Sequence, residues 1–525
     1  MRRFARLTGV LACAALLLAA CQPSAAPAAP SGQATASRGA PGAPAGPSGT
    51  TRVTIGQTNP LESQDPYNHS DTFLYPFWCE MAGCLVGWDP KTGEPVPQLA
   101  ESWKVENPTT WVFTLRQNVK WSDGSPFTAA DVVHSLDVVK EHPAAKQKYR
   151  LSTVASYSAV DDHTVKIVTK EPNAELLDAA FIVGIAITSK AQTDRGEDLS
   201  KNLAVSTGPY MVKEWQPNAR VVVVKNPNWY GGKVDGPDEV VFRVIKEDEA
   251  RVTALLNNEI QIATALPSQD VDRINGSGNT KVAVGNSLTI MFLGMSPKYK
   301  PWDNKLLRQA VNYAINKDSI IKDVLEGYAE RLDTPIGPGQ YAYTPNVEPK
   351  YTYDPQKAKD LVKEAGFPDG VDVELSTPVN MYTKDKEITQ AMVPMLNAVG
   401  IRTKLLAPEW STLWANVQTG KVPFFYMGRG QVRDPGQPLS QYFETDVSPR
   451  LGFSDATLDG LFHQERAAFE PEQRKKLLAD VMARIQEEAP AAFMWRYKLL
   501  WGVASNLQWE PRSDEGIYAH EIKLK

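Results

Sequence analysis

A segment of small residues near the N-terminus divides this chain into two parts that cannot fold alike. Between residues 22 and 50, 24 of 29 residues are Ala, Pro, Gly or Ser. Such a composition buries too little apolar surface to offset the entropy of ordering, so we expect a disordered tether. Residues 51–525 then hold the folded body, and at roughly 150 residues per domain they are long enough for about three domains.

The residues before this tether have the pattern of a secretion signal. Arg2, Arg3 and Arg6 precede an apolar run over 7–20, which is short for a transmembrane helix. The run ends in Leu18-Ala19-Ala20-Cys21, which resembles a bacterial lipobox. We therefore expect a signal peptide over 1–20, lipidation of Cys21 and a tether over 21–50. The acyl chains would anchor an extracytoplasmic protein, in the periplasm or on the outer face of the cell membrane, without spanning the membrane.

The overall charge and hydropathy exclude two classes of protein. Lys and Arg number 56 against 61 Asp and Glu, giving a net charge of −5. This balance excludes a nucleic-acid-binding protein held by a strong basic field. The mean hydropathy of −0.33 excludes a membrane protein with several spans.

Residues 51–525 alternate between strand and helix patterns, which predicts an α/β protein. Strands are predicted at Thr51–Gln57, Trp111–Leu115, His163–Thr169 and Arg220–Lys225. Helices are predicted at Thr128–Glu141, Asn304–Ile315, Pro355–Ala365, Lys386–Val399 and Glu472–Glu488. Thr128 and Asp354-Pro355 have the residue types that begin helices.

Two cysteines remain in the folded body once Cys13 and Cys21 are assigned to the leader and the anchor. Cys79 and Cys84 are five residues apart, a spacing that on a continuous helix places their Cα atoms more than ~7 Å apart. A disulfide therefore requires the chain to turn near Gly83, and the spacing alone leaves both states open.

No pattern of residues predicts catalysis. The sequence lacks a phosphate-binding G-x-x-x-x-G-K-[ST] loop, a zinc-binding H-E-x-x-H and a G-x-S-x-G nucleophile elbow. Its six histidines are scattered without the spacing of metal ligands. We expect no catalytic residue, no metal site and no cofactor.

Several motifs of the folded body together resemble family 5 of the extracellular solute-binding proteins, the peptide, nickel and opine group of ABC importers. The most specific stretch is 85–139, from LVGWDPKTGEPVPQLAESW to FTAADVVHSLDVV. Further matches are Ser206-Thr207-Gly208-Pro209-Tyr210, Asn226-Pro227-Asn228-Trp229-Tyr230, Asn304–Asn316 and Tyr353-Asp354-Pro355.

The resemblance implies a two-lobed periplasmic-binding-protein-like α/β fold of class II, with an extra subdomain in lobe I and a two-strand hinge. Lobe I is expected at 51–91, 187–285 and 493–525, its subdomain at 92–186, and lobe II at 286–492. The chain is expected to cross between lobes near Gly285-Asn286 and Phe493-Met494. Closing the lobes would sequester a ligand from water.

Two lobe II segments supply most of the expected ligand contacts. Trp410 and Trp414 lie four residues apart on one helical face, and within 424–435 an apolar strand runs into a Gly-flanked loop that carries two arginines and one aspartate. Candidate contacts are Tyr382, Glu409, Trp410, Tyr426, Arg429, Gln431, Arg433, Asp434 and Trp495. Core packing is the alternative for the tryptophans, an Asx turn for Asp434, and surface exposure or pairing with Asp434 for the arginines.

One position departs from the pattern of peptide-binding relatives. Many of them have an acidic residue three positions before the site of Asp434, where it pairs with the ligand α-amino group; here that position is Gln431. A neutral amide does not neutralise an ammonium in a dry cleft. The two arginines instead suit a ligand that carries a carboxylate.

The resemblance implies a monomeric lipoprotein that binds a peptide or similar polar solute and delivers it to ABC permease subunits with a separate ATPase. A ligand of another chemistry, such as an opine, an oligosaccharide or a metal chelate, is the alternative within the family. A chaperone or sensor of the same fold and a secreted hydrolase are alternatives of other classes. No contact with nucleic acid is expected.

Overall fold

The computed structural model describes residues 50–525, except 60, 62, 70–73, 179–183, 380, 431–432, 446 and 448. The predicted signal peptide, Cys21 and all but the last residue of the predicted tether lie outside the described residues. Among the described residues, no helix combines the length and the apolar character needed to cross a membrane.

Nineteen strands alternate with thirteen helices along the described chain, as an α/β sequence pattern predicts. The strands are β1 (Arg52–Gln57), β2 (Val86–Trp88), β3 (Pro95–Pro97), β4 (Ala100–Asn107), β5 (Thr110–Leu115), β6 (Val154–Asp161), β7 (Thr164–Thr169), β8 (Tyr210–Gln216), β9 (Arg220–Lys225), β10 (Glu239–Val244), β11 (Ile262–Ala263), β12 (Thr280–Met295), β13 (Ala329–Arg331), β14 (Val371–Ser376), β15 (Ile401–Leu406), β16 (Phe424–Arg429), β17 (Ala491–Ala504), β18 (Leu507–Gln508) and β19 (Lys523–Leu524). The helices are α1 (Leu74–Met81), α2 (Ala129–Glu141), α3 (Lys190–Asp194), α4 (Asp248–Leu256), α5 (Val271–Asn275), α6 (Lys305–Ala314), α7 (Lys317–Asp323), α8 (Pro355–Glu364), α9 (Asp385–Ala398), α10 (Trp410–Gln418), α11 (Gly436–Phe443), α12 (Ala456–Arg466) and α13 (Pro471–Glu488).

The predicted strands and helices agree with these bounds to within one or two residues. Helix α2 begins after Thr128, whose backbone N–H donates to the Asp131 carboxylate at 2.8 Å. Helix α8 begins with Pro355, and the Asp354 side chain accepts from the backbone N–H of Lys357 at 2.9 Å. Local capping chemistry therefore sets these helix starts.

One eleven-stranded sheet runs through both lobes in the order β15-β14-β16-β12-β17-β11-β1-β10-β9-β8, and β13 also pairs with β17. The long antiparallel strands β12 and β17 connect its two halves. Their register is interrupted between Asn286 and Ile290, opposite Lys498 and Arg496. A second interruption falls between Met291 and Phe292, opposite Trp495 and Phe493. The irregular stretch therefore begins just after 285–286 on β12, reaches 493–494 on β17, and marks where the two-strand connection can bend.

A separate antiparallel sheet in the order β4-β5-β7-β6 lies within residues 92–186. It packs with α2 around Phe113, Val132 and Ile167, all of them fully buried. Residues 92–186 thus contain a sheet and a helix that share an apolar core, to which Tyr67, Leu85 and Leu288 from outside this range also belong.

A disulfide joins Cys79 to Cys84, with their Cα atoms 4.9 Å apart. Helix α1 ends at Met81, and Gly83 follows with a φ of +95°, which an L side chain rarely adopts. The chain therefore turns between the two cysteines, which a bridge over this short spacing requires.

Removal of this disulfide should destabilise the protein modestly because the closed loop is short. We expect the double change Cys79→Ser with Cys84→Ser to lower the free energy of unfolding by about 2 kcal/mol, through the restored entropy of the unfolded chain. Urea unfolding of both forms would measure this. Equal midpoints and slopes would show that the bridge contributes nothing.

Candidate functional site: the strand ends of lobe II and the interlobe cleft

Three of the candidate residues lie at or just after the ends of three neighbouring strands, at one edge of the sheet. Strand β14 runs parallel to both β15 and β16, so the carboxyl ends of all three strands lie together. Tyr382 follows β14, Trp410 follows β15 and Arg429 ends β16. Parallel strand topology thus places three residues that lie far apart in sequence at one edge of the sheet, and the side chains of Tyr382 and Trp410 are in contact there.

Aromatic rings form a half-buried wall at this edge. The ring of Tyr382 meets that of Trp410 edge-on at 6.0 Å, and Trp410 stacks on Trp414 at 5.7 Å. The Tyr382 hydroxyl donates to the backbone oxygen of Gly428 at 3.3 Å, and burial raises the pKa of Tyr382. The protonated hydroxyl of Tyr382 therefore links the aromatic wall to β16 by a hydrogen bond.

A cavity of about 540 Å³ adjoins this wall and lies beside the interruption of β12 and β17. Residues from both expected lobes line it. Ser287, Thr289, Leu325, Tyr328, Tyr382, Lys384, Tyr497, Leu499 and Glu515 are among them. Its volume falls within the roughly 300–1,000 Å³ of small-molecule sites, and its lining mixes aromatic, hydroxyl and charged groups.

Arg429 is a buried cation without a carboxylate partner among the described residues. Its side chain is 5% exposed, and Nη2 donates to the backbone oxygen of Pro335. Nη1 is buried without a hydrogen-bond partner in the described part of the chain. Burial lowers the pKa of Arg429 to about 10. A buried guanidinium in this state is unfavourable unless an acceptor arrives from elsewhere.

Arg433 crosses the seam between the lobes rather than lying at the surface or pairing with Asp434. Its Nη2 donates to the Asp178 carboxylate at 2.6 Å, and its guanidinium lies 4.9 Å from the centre of the Trp88 ring. Burial lowers the pKa of Arg433, while Asp178 opposes that shift. Nε and Nη1 have no partner among the described residues. Because Arg433 holds an interlobe contact, its replacement would disturb closure as well as any ligand.

Asp434 is already neutralised within lobe II. Its carboxylate accepts from Arg474 Nη1 at 2.5 Å and Nη2 at 2.8 Å, and from the backbone N–H of Gly436 at 3.0 Å. The last contact is the Asx turn that the Asp-Pro sequence predicts as its alternative. Asp434 is therefore poorly placed to neutralise a ligand ammonium in place of Gln431.

The other candidates do not join this edge in the described structure. Tyr426 and Trp495 are fully buried in the lobe II core, where the Tyr426 hydroxyl lies 3.2 Å from that of Tyr497. Side chains alternate along a strand, so Tyr426 lies on the face of β16 opposite Arg429, and helices pack against both faces. Glu409 is exposed just before α10, and Gln431 lies outside the described residues.

Sequence reasoning missed the residues that complete the seam. Asp178 and Trp88 reach Arg433 only through the tertiary fold, because Asp178 lies 255 residues away in sequence. Thr289 and Ser287 line the cavity from the interrupted stretch of β12. A bulge in a long strand has no reliable sequence pattern. Neither the partners of Arg433 nor the cavity-lining residues of β12 could therefore be recognised in the sequence.

Two lobes joined by a pair of strands, with a cavity lined from both, define the class of two-lobed solute receptors that close on a ligand. Residues 94–448 match the family model for bacterial extracellular solute-binding proteins, family 5 middle. The chain belongs to this family, whose members are the solute-binding proteins of ABC importers, as the sequence motifs indicated.

Known relatives cover most of the chain. The glutathione-binding protein GsiB of Salmonella typhi is 28% identical over 458 residues, which covers 84% of this chain and 88% of that protein. HbpA2 of Haemophilus parasuis superposes with a TM-score of 0.81 at 21% identity, covering 90% of this chain and 100% of the other. The ABC transporter-associated periplasmic binding protein DppA of Helicobacter pylori, solved with the peptide STSA, gives 0.71 at 24% identity, covering 90% and 98%.

Proposed function

We propose that this protein captures a peptide, or a polar solute of similar size, that carries a free carboxylate, and delivers it to an ABC permease. The binding site comprises the lobe II strand ends and the adjoining interlobe cavity. Relatives named for binding glutathione, and a structural neighbour solved with a peptide, support a peptide ligand. Both kinds of ligand carry carboxylates.

The unpaired guanidinium of Arg429 is the observation that carries this proposal. It is buried at the sheet edge where parallel-strand proteins bind ligands, and Nη1 lacks an acceptor among the described residues. A carboxylate accepts a charge-assisted hydrogen bond from such a nitrogen and neutralises its charge. A neutral sugar would leave that charge uncompensated, which favours the peptide over the oligosaccharide alternative.

Lobe closure completes the proposed site. We place lobe I at 51–91, 187–285 and 493–525, its subdomain at 92–186 and lobe II at 286–492, with bending at the interruption of β12 and β17. In the closed arrangement Arg433 meets Asp178 and Trp88 across the seam. A ligand that contacts both lobes selects this arrangement by binding it more tightly.

We further propose that the protein acts by binding alone, as a monomer held to a membrane through lipid on Cys21. The described residues contain no group of three or more His, Cys, Asp or Glu suited to a metal. The apolar run before Leu18-Ala19-Ala20-Cys21 supports the anchor. Cys21→Ser should move the protein from the detergent phase to the aqueous phase of a Triton X-114 partition, and continued detergent partitioning would contradict the anchor.

The aromatic wall should contribute directly to affinity. We expect Trp410→Ala to weaken binding of glutathione or of the tetrapeptide Ser-Thr-Ser-Ala by about 1–3 kcal/mol, because a ring on the ligand face is lost. Isothermal titration calorimetry would measure this. Tyr353→Ala, at an exposed tyrosine before α8, is the matched control and should leave affinity unchanged. Equal loss in both variants, or none in Trp410→Ala, would remove the wall from the site.

A further inference from the structure

Two buried glutamates meet where the subdomain of lobe I touches lobe II. Glu175 is 6% exposed and Glu465 is fully buried. A Cβ atom at Gly436 would clash with Glu175 Oε1 and would lie 2.8 Å from Glu465 Oε1. The two carboxyl oxygens therefore converge on the backbone of Gly436, in the space that a side chain at that position would occupy.

The two carboxyl groups belong to opposite sides of the seam. Glu175 follows β7, and its neighbour Asn173 donates to Thr153 Oγ1 beside the four-stranded sheet at 2.9 Å. Glu465 lies on α12 of lobe II. The backbone N–H of Ala174 donates across the seam to the Arg466 oxygen at 2.8 Å. Parting of the lobes at this seam would separate the two glutamates.

Charge at this point does not balance without a proton. Arg474 on α13 pairs with Asp434 of the loop before α11 and, through Nε at 3.0 Å, with Glu465 Oε2. Arg466 on α12 forms an ion pair with Glu444, and Arg433 forms an ion pair with Asp178. The charge of Arg466 also acts on Glu175 and Glu465, so four carboxylates, Asp434, Glu444, Glu465 and Glu175, share the two guanidiniums of Arg466 and Arg474. Oε1 of Glu175 and Oε1 of Glu465 have no hydrogen-bond partner among the described residues.

We propose that Glu175 and Glu465 form a proton-binding site that couples lobe closure to uptake of a proton. In the closed arrangement a protonated Glu175 donates an O–H to Glu465, so the pair carries one negative charge, which Arg474 offsets. When the lobes part, both carboxyl groups enter water and the proton leaves. Lower pH therefore favours closure, and with it retention of the solute.

The direction of the pH dependence follows from the pKa shifts of the two buried glutamates. Burial, and next the negative charge of Glu465, raise the pKa of Glu175 well above its ordinary value. Burial also raises the pKa of Glu465, although Arg474 opposes that shift. Since a solvated Glu titrates near ~4.3, the closed form binds more protons than the open form at pH values between that pKa and the raised pKa of the buried pair. Protonation therefore stabilises the closed form fully at pH values below the solvated pKa. This stabilisation is lost as the pH rises through the raised pKa of the buried pair.

The test needs no ligand, so its failure is distinct from failure of the proposed ligand class; it depends only on the two-lobed closure. The radius of gyration and the Tm of the purified protein would be measured from about pH 4 to about pH 9, a range that begins near the ordinary pKa of a solvated Glu and extends well above it. Glu175→Gln imitates the protonated form, since its amide donates to Glu465 without titrating. Glu171→Gln, at an exposed position of the same segment, is the matched control.

We expect the radius of gyration of the wild type and of Glu171→Gln to increase with pH as the seam opens. In Glu175→Gln it should stay at the low-pH value, and the gain in Tm over wild type should grow as pH rises. A wild-type radius independent of pH, or parallel curves for Glu175→Gln and wild type, would overturn the proposal. A Tm that rises with added Ca²⁺ only when Glu175 is present would replace the proton by a metal and overturn it equally.

Discussion

Arg429→Met is expected to abolish most of the affinity for carboxylate-bearing ligands while leaving the unliganded protein as stable as before, or more so. Loss of a buried charged hydrogen bond to ligand costs roughly 2–5 kcal/mol, which is about 30-fold to several thousand-fold in Kd. In the unliganded protein the guanidinium makes one contact, to the Pro335 oxygen, with Nη1 unpaired among the described residues. Methionine fills similar space without a desolvated charge.

Matched ligands make this experiment specific for the carboxylate. Calorimetry would compare Ser-Thr-Ser-Ala and glutathione with the same peptides amidated at the C-terminus. Wild type should prefer the free acids, and Arg429→Met should lose that preference. Arg429→Lys keeps the charge but not the planar fork, so it should show an intermediate loss. A methionine variant that retains both the affinity and the acid preference of wild type would remove Arg429 from the site.

Arg474→Met should be the most destabilising change at the seam. It leaves the carboxylates of Asp434 and Glu465 buried without their only shared cation, and breaking a buried pair in this way costs about 3–5 kcal/mol. Although burial opposes it, these two carboxylates raise the pKa of Arg474 well above its ordinary value. Urea unfolding near pH 7 would measure the loss, and acidification should shrink it as the carboxyl groups take up protons.

The neighbouring lysine provides the control for this change. Lys475 on the same helix pairs with the partly exposed Glu94 at 3.1 Å and with the exposed Glu472 at 3.3 Å. Exposed pairs of this kind contribute at most about 1 kcal/mol. Lys475→Met should therefore unfold close to wild type. Equal losses for both variants would show that burial of the Arg474 pairs is not what stabilises this seam.

Local sequence patterns predicted the elements of this fold well because their causes are local. The run of Arg220–Lys225 is β9, and the proline that begins α8 is where the sequence places it. The family followed from the combined motifs of 85–139 and the later segments, and the match to the family model confirms it. The pairing of β12 with β17 joins residues about two hundred positions apart, and no local pattern contains it.

The site was predictable only in part, since the face of a strand and the partner of a charge are tertiary properties. Tyr382 and Trp410 were predicted as separate ligand contacts. The parallel strands that precede them bring their rings into contact. Tyr426 and Arg429 lie on the same strand. Because side chains alternate between the two faces of a strand, Tyr426 points to the opposite face and is fully buried. Sequence reasoning missed Glu175 and Glu465 because neither belongs to a motif. Only the tertiary fold shows that their carboxyl groups lie side by side.

The ligand that co-purifies with the protein tests the central claim most directly. Native mass spectrometry of the purified protein, followed by fragmentation of the released molecule, would identify that ligand without any choice of candidates. We predict a peptide or peptide-like solute with a free carboxylate, bound one to one. A neutral oligosaccharide, or any ligand without a carboxylate, would contradict the account.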